Sequence, residues 1–525
     1  MKVLVTDPIE QVCTDILAKE GIQVDAKPGL PADEIKKIIG NYDALIVRSG
    51  TKVTADIIAE ANQMKAIGRA GAGVDNIDVK AATRKGIVVM NTPGGNTIST
   101  AEHTMALMMS LARNVPQSFH DLQNGKWERK KYTGTELFGK TLGVVGLGKV
   151  GREVAFRAKA FGMNVIGYDP LLAADAASKL GLELASLDDI YRRSDFITVH
   201  TPLTEETRGI IGEKTFEVCK PGLRVVNCAR GGIVDETALL KALENGKVAG
   251  AAFDVFVKEP PGDNPLLKHP KVIATPHLGA STEEAQEKVA KQIGEQLVDF
   301  FKGHGIAGAV NIVDYQSAVG EELRAYLVLA EKIGALQAQL ISGKIKSITA
   351  SYRGALLQKS AELLSTSLLK GILDKMMSAP VNFVNASVMA SEMGIAVSEK
   401  KEKDGERYPH LVTVEVETDK ETRSISGTVF GEREMRIVGV DQFHFEIVPD
   451  GHLLFYSNID RPGMIAAVGG LLASSQVNIA GMSLGRSAPG EKALTVMSVD
   501  SDIPESVLKE ISKISGVFEV KSVKL

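Results

Sequence analysis

Apolar runs of four to six residues alternate with amphipathic helical patterns up to about residue 315. That alternation predicts βαβ units, because parallel strands buried on both faces read as unbroken apolar runs. One series comprises Val3 to Thr6, Ala44 to Val47, Ala66 to Gly68 and Ile87 to Met90. A second comprises Leu142 to Val145, Val165 to Tyr168, Phe196 to His200, Val225 to Cys228, Ala249 to Phe253 and Val272 to Thr275. Two doubly wound parallel-sheet units are expected, joined by two helices. The first helix opens at Ser99-Thr100-Ala101-Glu102, a capping box, and runs to about Arg113. The second runs from Glu283, after Thr282, to Phe301 and stops at Gly303, carrying the chain back to the first unit. Two crossings imply a hinge with a cleft between the units.

Beyond residue 315 the texture changes. Leu323 to Ile341 reads as an amphipathic helix and Lys344 to Gly354 as a strand. Leu411 to Glu417, Ser424 to Phe430 and Phe443 to Val448 alternate like antiparallel strands, and the charged run Glu399 to Arg407 reads as a solvated loop. From about His452 to Leu525 the order is strand, helix, strand, strand, helix, strand, as in ferredoxin-like modules. The boundaries expected are 1–98 with 283–315, 99–282, 316–448 (an α+β unit) and 449–525.

Length and charge narrow the class. A chain of 525 residues suits three or four domains. Its 61 basic and 65 acidic side chains, net −4, argue against nucleic acid as the main partner. Three scattered cysteines (Cys13, Cys219, Cys228) cannot make a disulfide framework, which points to a reducing cytoplasm. The start, MKVLVTDPIEQ, meets Asp7 too soon for a signal peptide and reads as a strand. Met464 to Gly485 lacks charge, but Ser474-Ser475-Gln476 and Asn478 interrupt it, so no membrane span is expected.

Chemistry enters at the strand ends. Gly146-Leu147-Gly148-Lys149-Val150-Gly151 follows Leu142 to Val145 and opens a helix, and Asp169 ends the next strand 18 residues after Gly151. Gly146, Gly148 and Gly151 permit a tight turn and bring a pyrophosphate to backbone N–H groups at a helix N-terminus. Asp169 suits the ribose hydroxyls and repels a 2′-phosphate, favouring NAD. Arg230, Glu259 and His277 each follow a later strand of the same series, so all three converge on one sheet edge. His277 can take a hydroxyl proton, Glu259 can orient and charge-stabilise it, and Arg230 can hold a carboxylate and polarise a carbonyl. From the first unit, Arg48-Ser49-Gly50 and Gly71-Ala72-Gly73 place a cation and bare N–H groups on the opposite wall. Gly481 to Gly485 matches the GxSxG elbow, yet no histidine follows His452, so the match is accidental. Cys228 reads as a core cysteine, and no histidine or cysteine spacing supports a metal.

These residues resemble the D-isomer-specific 2-hydroxyacid dehydrogenases. Over its whole length the chain is similar to the long-form D-3-phosphoglycerate dehydrogenase branch of that family. The stretches that carry the resemblance include Val47-Arg48-Ser49, Gly68-Arg69-Ala70-Gly71, Trp127-Glu128-Arg129, Asn227 to Gly232, Glu259-Pro260-Pro261 and Pro276-His277-Leu278-Gly279-Ala280. The resemblance implies a substrate-binding flavodoxin-like unit (1–98 with 283–315), an NAD-binding Rossmann unit (99–282), an intervening domain and an ACT domain. It implies oxidation of 3-phospho-D-glycerate (3-phosphoglycerate) to 3-phosphohydroxypyruvate, the first step of serine synthesis, in a homotetramer. NAD contacts are implied at Ala72, Lys149, Val150, Asp169, Thr201, Cys228, Ala229, Arg230, Asp254, His277, Leu278, Gly279 and Ala280. Lys149-Val150 stands where many relatives have Arg-Ile. Arg48 and Arg129 are the candidates for the substrate phosphate, with Lys131 a third; Arg129 is expected at a neighbouring subunit's cleft. L-serine is the implied effector, at Asn458, Asp460 and Asn478. Pro462 is expected in a first helical turn, with Val477-Asn478-Ile479 close to that turn. A glyoxylate or hydroxypyruvate reductase and an NAD-sensing corepressor share the same triad and stay open.

Overall fold

The computed structural model of the chain describes residues 1–525 except 180, 313–319, 404, 406 and 432. The expected boundary at residue 315 lies outside the described residues. The first sheet is β1 (Lys2–Val5), β2 (Gln23–Ala26), β3 (Ala44–Val47), β4 (Ala66–Arg69) and β5 (Val88–Asn91), all parallel in the order β2-β1-β3-β4-β5. Every residue of β3 is buried, as two covered faces require. The second sheet is β6 (Thr141–Val145), β7 (Asn164–Tyr168), β8 (Glu183–Leu184), β9 (Phe196–Val199), β10 (Leu223–Asn227), β11 (Val248–Phe253) and β12 (Val272–Ala274). Its order is β12-β11-β10-β9-β6-β7-β8. Strand β6 pairs in parallel with both β7 and β9, so the winding reverses there and opens a crevice at the carboxyl ends.

Helices Thr97–Arg113 and Glu283–Lys302 lead from the first sheet to the second and back. The return helix buries Val289, Ile293 and Leu297 in the core formed by Val3, Val5 and Met90. Thr282 Oγ1 accepts the Ala285 N–H at its start, and Gly303 ends it at φ +72°. The first helix corrects the expected capping box. It begins at Thr97, and Ser99 lies inside its first turn with its hydroxyl donating to Asn96 O.

The third sheet is mixed: β13 (Ile345–Arg353), β14 (Ala396–Glu402), β15 (Leu411–Thr418), β16 (Thr422–Phe430), β17 (Glu434–Val440) and β18 (Phe443–Ile447), in the order β14-β13-β15-β16-β17-β18. The fourth is antiparallel: β19 (His452–Ile459), β20 (Ile479–Arg486), β21 (Lys492–Val499) and β22 (Val517–Lys524), in the order β20-β21-β19-β22. The charged run Glu399 to Arg407 is only partly a loop, because Glu399 to Glu402 complete the exposed edge strand β14. Residues 404 and 406 of that run lie outside the described residues. Gly481 to Gly485 lies within β20, a strand and not a strand-to-helix elbow. Pro462 precedes Gly463, which caps the helix Met464–Ser474, and so stands just outside that helix.

The period of two along β19 puts its residues into different cores. Leu454 and Tyr456 pack with Val468, Leu472 and Ile511 of the two tail helices. Leu453 and Phe455 join Ile333, Leu336 and Leu340 of the helix Glu321–Leu340. The third and fourth sheets therefore share one continuous core. A smaller contact ties this body to the first sheet: Asn382 Nδ2 donates to Gly86 O at 2.8 Å, Arg84 pairs with Glu392 at 2.6 Å, and Val384 enters the first sheet's core. No helix among the described residues is long and apolar enough to cross a membrane.

Candidate active site

Strand ends position the chemistry. At the end of β10, buried Asn227 donates through Nδ2 to Arg230 O (2.9 Å) and accepts the Ala229 N–H on Oδ1 (3.0 Å), a local frame that turns Arg230 into the cleft. Arg230 Nε reaches across and donates to Asp75 Oδ2 at 2.9 Å. A Cβ at Gly73 would sit 1.9 Å from the Arg230 guanidinium, so a side chain there would displace the arginine from its place against Asp75. After β11, Glu259 Oε1 accepts the Phe256 N–H (3.0 Å), and its other oxygen lies 2.8 Å from His277 Nδ1. An ionised carboxylate only accepts, so Nδ1 carries the hydrogen and Nε2 is the ring nitrogen left for substrate. Burial pushes the Glu259 carboxyl up, but the His277 hydrogen bond and the Phe256 N–H outweigh it and hold it below the usual carboxylate range. His277 itself is left-handed, at φ +57°.

The facing wall is cationic. Arg48, Ser49, Arg69 and Gly71 line one cavity of about 380 Å³ with Glu259 and His277. Asp7, beyond the end of β1, shapes this wall by accepting the N–H groups of Arg48 (2.6 Å) and Thr51 (3.1 Å). Gly50 packs against the same carboxylate. Arg69 was not singled out as a site residue from sequence, although it ends β4. Burial and the nearby Arg230 pull its guanidinium down to about 10, still a cation at neutral pH. Arg129 is exposed and does not line this cavity. Lys131 is bound to Asp121 at 2.7 Å, away from the cleft.

The glycine loop meets the requirements of a dinucleotide. Gly146 turns at φ +94°; a Cβ on Gly151 would strike Gly146 O at 1.9 Å; and Gly148, which caps the helix Lys149–Ala160, has open space before it. Asp169 directly follows the neighbouring strand β7 and accepts the N–H groups of Leu147 and Leu171, both at 2.9 Å. Lys149 Nζ donates to Pro93 O across the cleft at 3.3 Å. A cavity of about 210 Å³ continues from Val150 and Thr201 past Ala72, Cys228, Ala229 and Arg230 to Asp254, His277, Gly279 and Ala280; Leu278 is exposed beside it. Thr201 Oγ1 is buried there without a hydrogen-bond partner, a hydroxyl that a polar atom of a bound dinucleotide would satisfy. Burial pushes the Cys228 thiol up to about 12, so it is no activated nucleophile. No cluster of three or more metal-ligating side chains occurs among the described residues.

Comparison with known proteins follows the same division. Residues 105–279 match the D-isomer specific 2-hydroxyacid dehydrogenase NAD-binding domain, residues 322–441 the D-3-phosphoglycerate dehydrogenase intervening domain, and residues 452–516 the ACT domain. The chain is 45% identical to D-3-phosphoglycerate dehydrogenase of Archaeoglobus fulgidus over the full length of both. It is 43% identical to that of Bacillus subtilis over 92% of each. The chain belongs to the D-3-phosphoglycerate dehydrogenase family. Family membership makes it an NAD-dependent dehydrogenase. Among solved structures, D-lactate dehydrogenase from Aquifex aeolicus, complexed with NAD and lactic acid, matches 58% of this chain and 96% of its own (TM-score 0.51, 29% identity). D-lactate dehydrogenase from Escherichia coli matches 59% of this chain and 100% of its own (TM-score 0.52, 28% identity).

Within this chain the tail residues stand apart. Asn458 is buried, donating to Ile459 O at 2.7 Å with its Oδ1 unpartnered, and Asp460 pairs with Arg486 at 2.8 Å. Asn478 donates to Asp500 at 2.7 Å. His452 and Ile479 both pair with Val499, whereas Asn458 and Arg486 both pair with Ala493. Asn478 therefore sits at the opposite end of the sheet from the 458–463 turn, roughly 20 Å away at ~3.4 Å per residue. The expected closeness does not occur within one chain, because β20 runs parallel to β19 after the helix has reversed direction.

Proposed function

We propose that the chain oxidises 3-phospho-D-glycerate to 3-phosphohydroxypyruvate. The carrying observation is the His277–Glu259 pair facing Arg48 and Arg69 in one cavity, with Arg230 across the cleft. Arg230 holds the substrate carboxylate and polarises the 2-oxygen, and His277 Nε2 takes the hydroxyl proton. The imidazolium that forms is stabilised by Glu259. Bound NAD supplies the hydride acceptor, held by the Gly146–Gly151 loop and the ribose-binding Asp169. Arg48 and Arg69 meet the phosphate; two cations there favour this acid over glyoxylate. In a panel of 2-hydroxy and 2-oxo acids with NAD and NADP, 3-phosphoglycerate with NAD should give the highest efficiency. His277→Ala should lose about 10²–10⁴ in rate with NAD affinity kept. Equal efficiency for glyoxylate would overturn the substrate reading.

The units proposed are 1–98 with 283–315, 99–282, 316–448 and 449–525, in a cytoplasmic homotetramer. Exposed Phe119, Trp127 and Phe138 support a subunit contact that also presents Arg129 to a neighbour's cleft. L-serine is proposed as feedback effector at the ACT domain. Strand β20 is an edge, and antiparallel pairing of two copies would set Asn478 of one chain against the Asn458–Asp460 turn of the other. Asn478→Ala should abolish serine inhibition without changing basal turnover; inhibition that survives this change would remove serine from the interface.

A further inference from the structure

The helix Thr97–Arg113 sends two side chains, one turn apart, to the loop that carries His277. Thr100 Oγ1 donates to Gly279 O at 3.1 Å. His103 Nε2 lies 3.0 Å from Thr275 Oγ1 and 3.2 Å from Asp254 Oδ1. Hydrogen accounting fixes the state of this ring nitrogen. The single hydroxyl hydrogen of Thr275 goes to Asp254 Oδ1 at 2.6 Å, and an ionised carboxylate has none to give. Nε2 must therefore be the donor to both oxygens.

What those oxygens hold is the catalytic loop. Asp254, 1% exposed, accepts the N–H of Leu278 at 2.7 Å and of Gly279 at 2.8 Å, while its backbone carbonyl accepts the N–H of His277 at 2.9 Å. A left-handed histidine persists only where its surroundings hold it. Asp254 is that hold, and His103 is the side-chain donor that reaches it from outside the β11–β12 region. The ring is not there for volume alone. It also borders a separate cavity of about 710 Å³, which His120, Asp121, Lys131 and Tyr132 line as well.

We infer that His103 is a positioning residue for the reaction: by hydrogen-bonding the Asp254–Thr275 pair it fixes residues 277–279, and so aims the His277 imidazole. The inference rests on the reading of His277 as the base that takes the hydroxyl proton. It predicts an effect on kcat with little effect on KM or on NAD affinity, because His103 lines neither of the two cleft cavities.

The test compares His103→Ala, His103→Asn and His103→Gln in the full-length chain, using whichever 2-hydroxy acid the parent turns over fastest. A glutamine amide can place its N–H where Nε2 stood, whereas an asparagine amide stops short. Alanine and asparagine should lower kcat at least about tenfold with KM and NAD dissociation constant within about threefold, and glutamine should return kcat to within about threefold of the parent. Equal loss in the asparagine and glutamine variants would overturn the inference, because the hydrogen bond would not be what counts. Parent-like kcat in the asparagine variant would overturn it too. If the alanine variant fails to fold, the asparagine–glutamine pair still decides. A parent that prefers another acid over 3-phosphoglycerate would overturn the substrate reading and leave this comparison intact.

Discussion

At the scale of single residues, Asp254 joins the loop that carries His277 to its supports. Burial pushes its carboxyl up, but hydrogen bonds from His103, Thr275 and the Leu278 N–H outweigh it and hold the group below the ordinary carboxylate range. A carboxyl depressed in the native state contributes stability above its unfolded value of about 4, and loses that contribution as pH falls through the native value. Asp254→Asn should cost about 2–4 kcal/mol near neutrality. The gap in melting temperature between parent and variant should close as pH falls from about 4 through the lower native value; a constant gap would show that the charge is immaterial. The convergence of Arg230, Glu259 and His277 was readable because residues after parallel strands share one edge, whatever their sequence separation. Arg69 satisfied the same rule as the last residue of β4, but the glycines beside it drew the reading toward bare N–H groups. Asp7 follows the end of β1 in the same way. His103 lies inside a helix, where nothing local marks a polar residue as a loop anchor.

Among elements, those written by clear punctuation were legible and those diluted by polar or small residues were not. The return helix has Thr282 before it and Gly303 after it, and its bounds follow. The edge strands β2 and β14 carry Gln23 and Asp25, and Glu399 to Glu402, on faces that meet water, so no apolar period marks them. Helix Ala361–Met376 was missed because Ser365, Ser367 and Gly371 interrupt its apolar stripe. Those small residues serve packing. A Cβ at Gly371 would lie 2.0 Å from Glu331 O, and one at Gly334 would lie 2.2 Å from Leu368 O, so these two helices approach backbone to backbone. Gly371→Ala should destabilise this unit by about 1–3 kcal/mol, the range for overpacking, read as an earlier unfolding transition in urea. An unchanged midpoint would mean that the helices can separate freely.

For the whole molecule, the shared core sets which cuts the chain tolerates. Removing residues after 448 would strip Leu453, Phe455, Leu494 and Val496 from the core that contains Leu336 and Leu340. That chain should aggregate, whereas one ending near residue 312 should stay active, and light scattering of the two separates the cases. The body that carries the tail meets the first sheet of its own chain around Asn382, Val384 and Glu392, a route by which the proposed effector could act. Glu392→Ala should weaken the proposed serine inhibition while leaving basal kcat within about twofold, and an unaltered inhibition curve would rule that contact out.

The ion pair between Arg230 and Asp75 has a consequence for selectivity. Before any acid arrives, the guanidinium already has an anion, supplied by a side chain that is largely exposed and free to swing away. A plain monoacid only replaces one negative group with another, a nearly even exchange. An acid bearing a second anion leaves that exchange unaltered but adds an attraction to Arg48 and Arg69 that Asp75 does not match. With the phosphate placed at Arg48 and Arg69 as proposed above, the resident carboxylate would act as a built-in reference against which each acid is measured, and an acid with one charge would gain little over it. Asp75→Asn should bring D-glycerate closer to 3-phosphoglycerate in kcat/KM, chiefly by improving the weaker substrate; an unchanged ratio would mean that the cleft does not use this comparison.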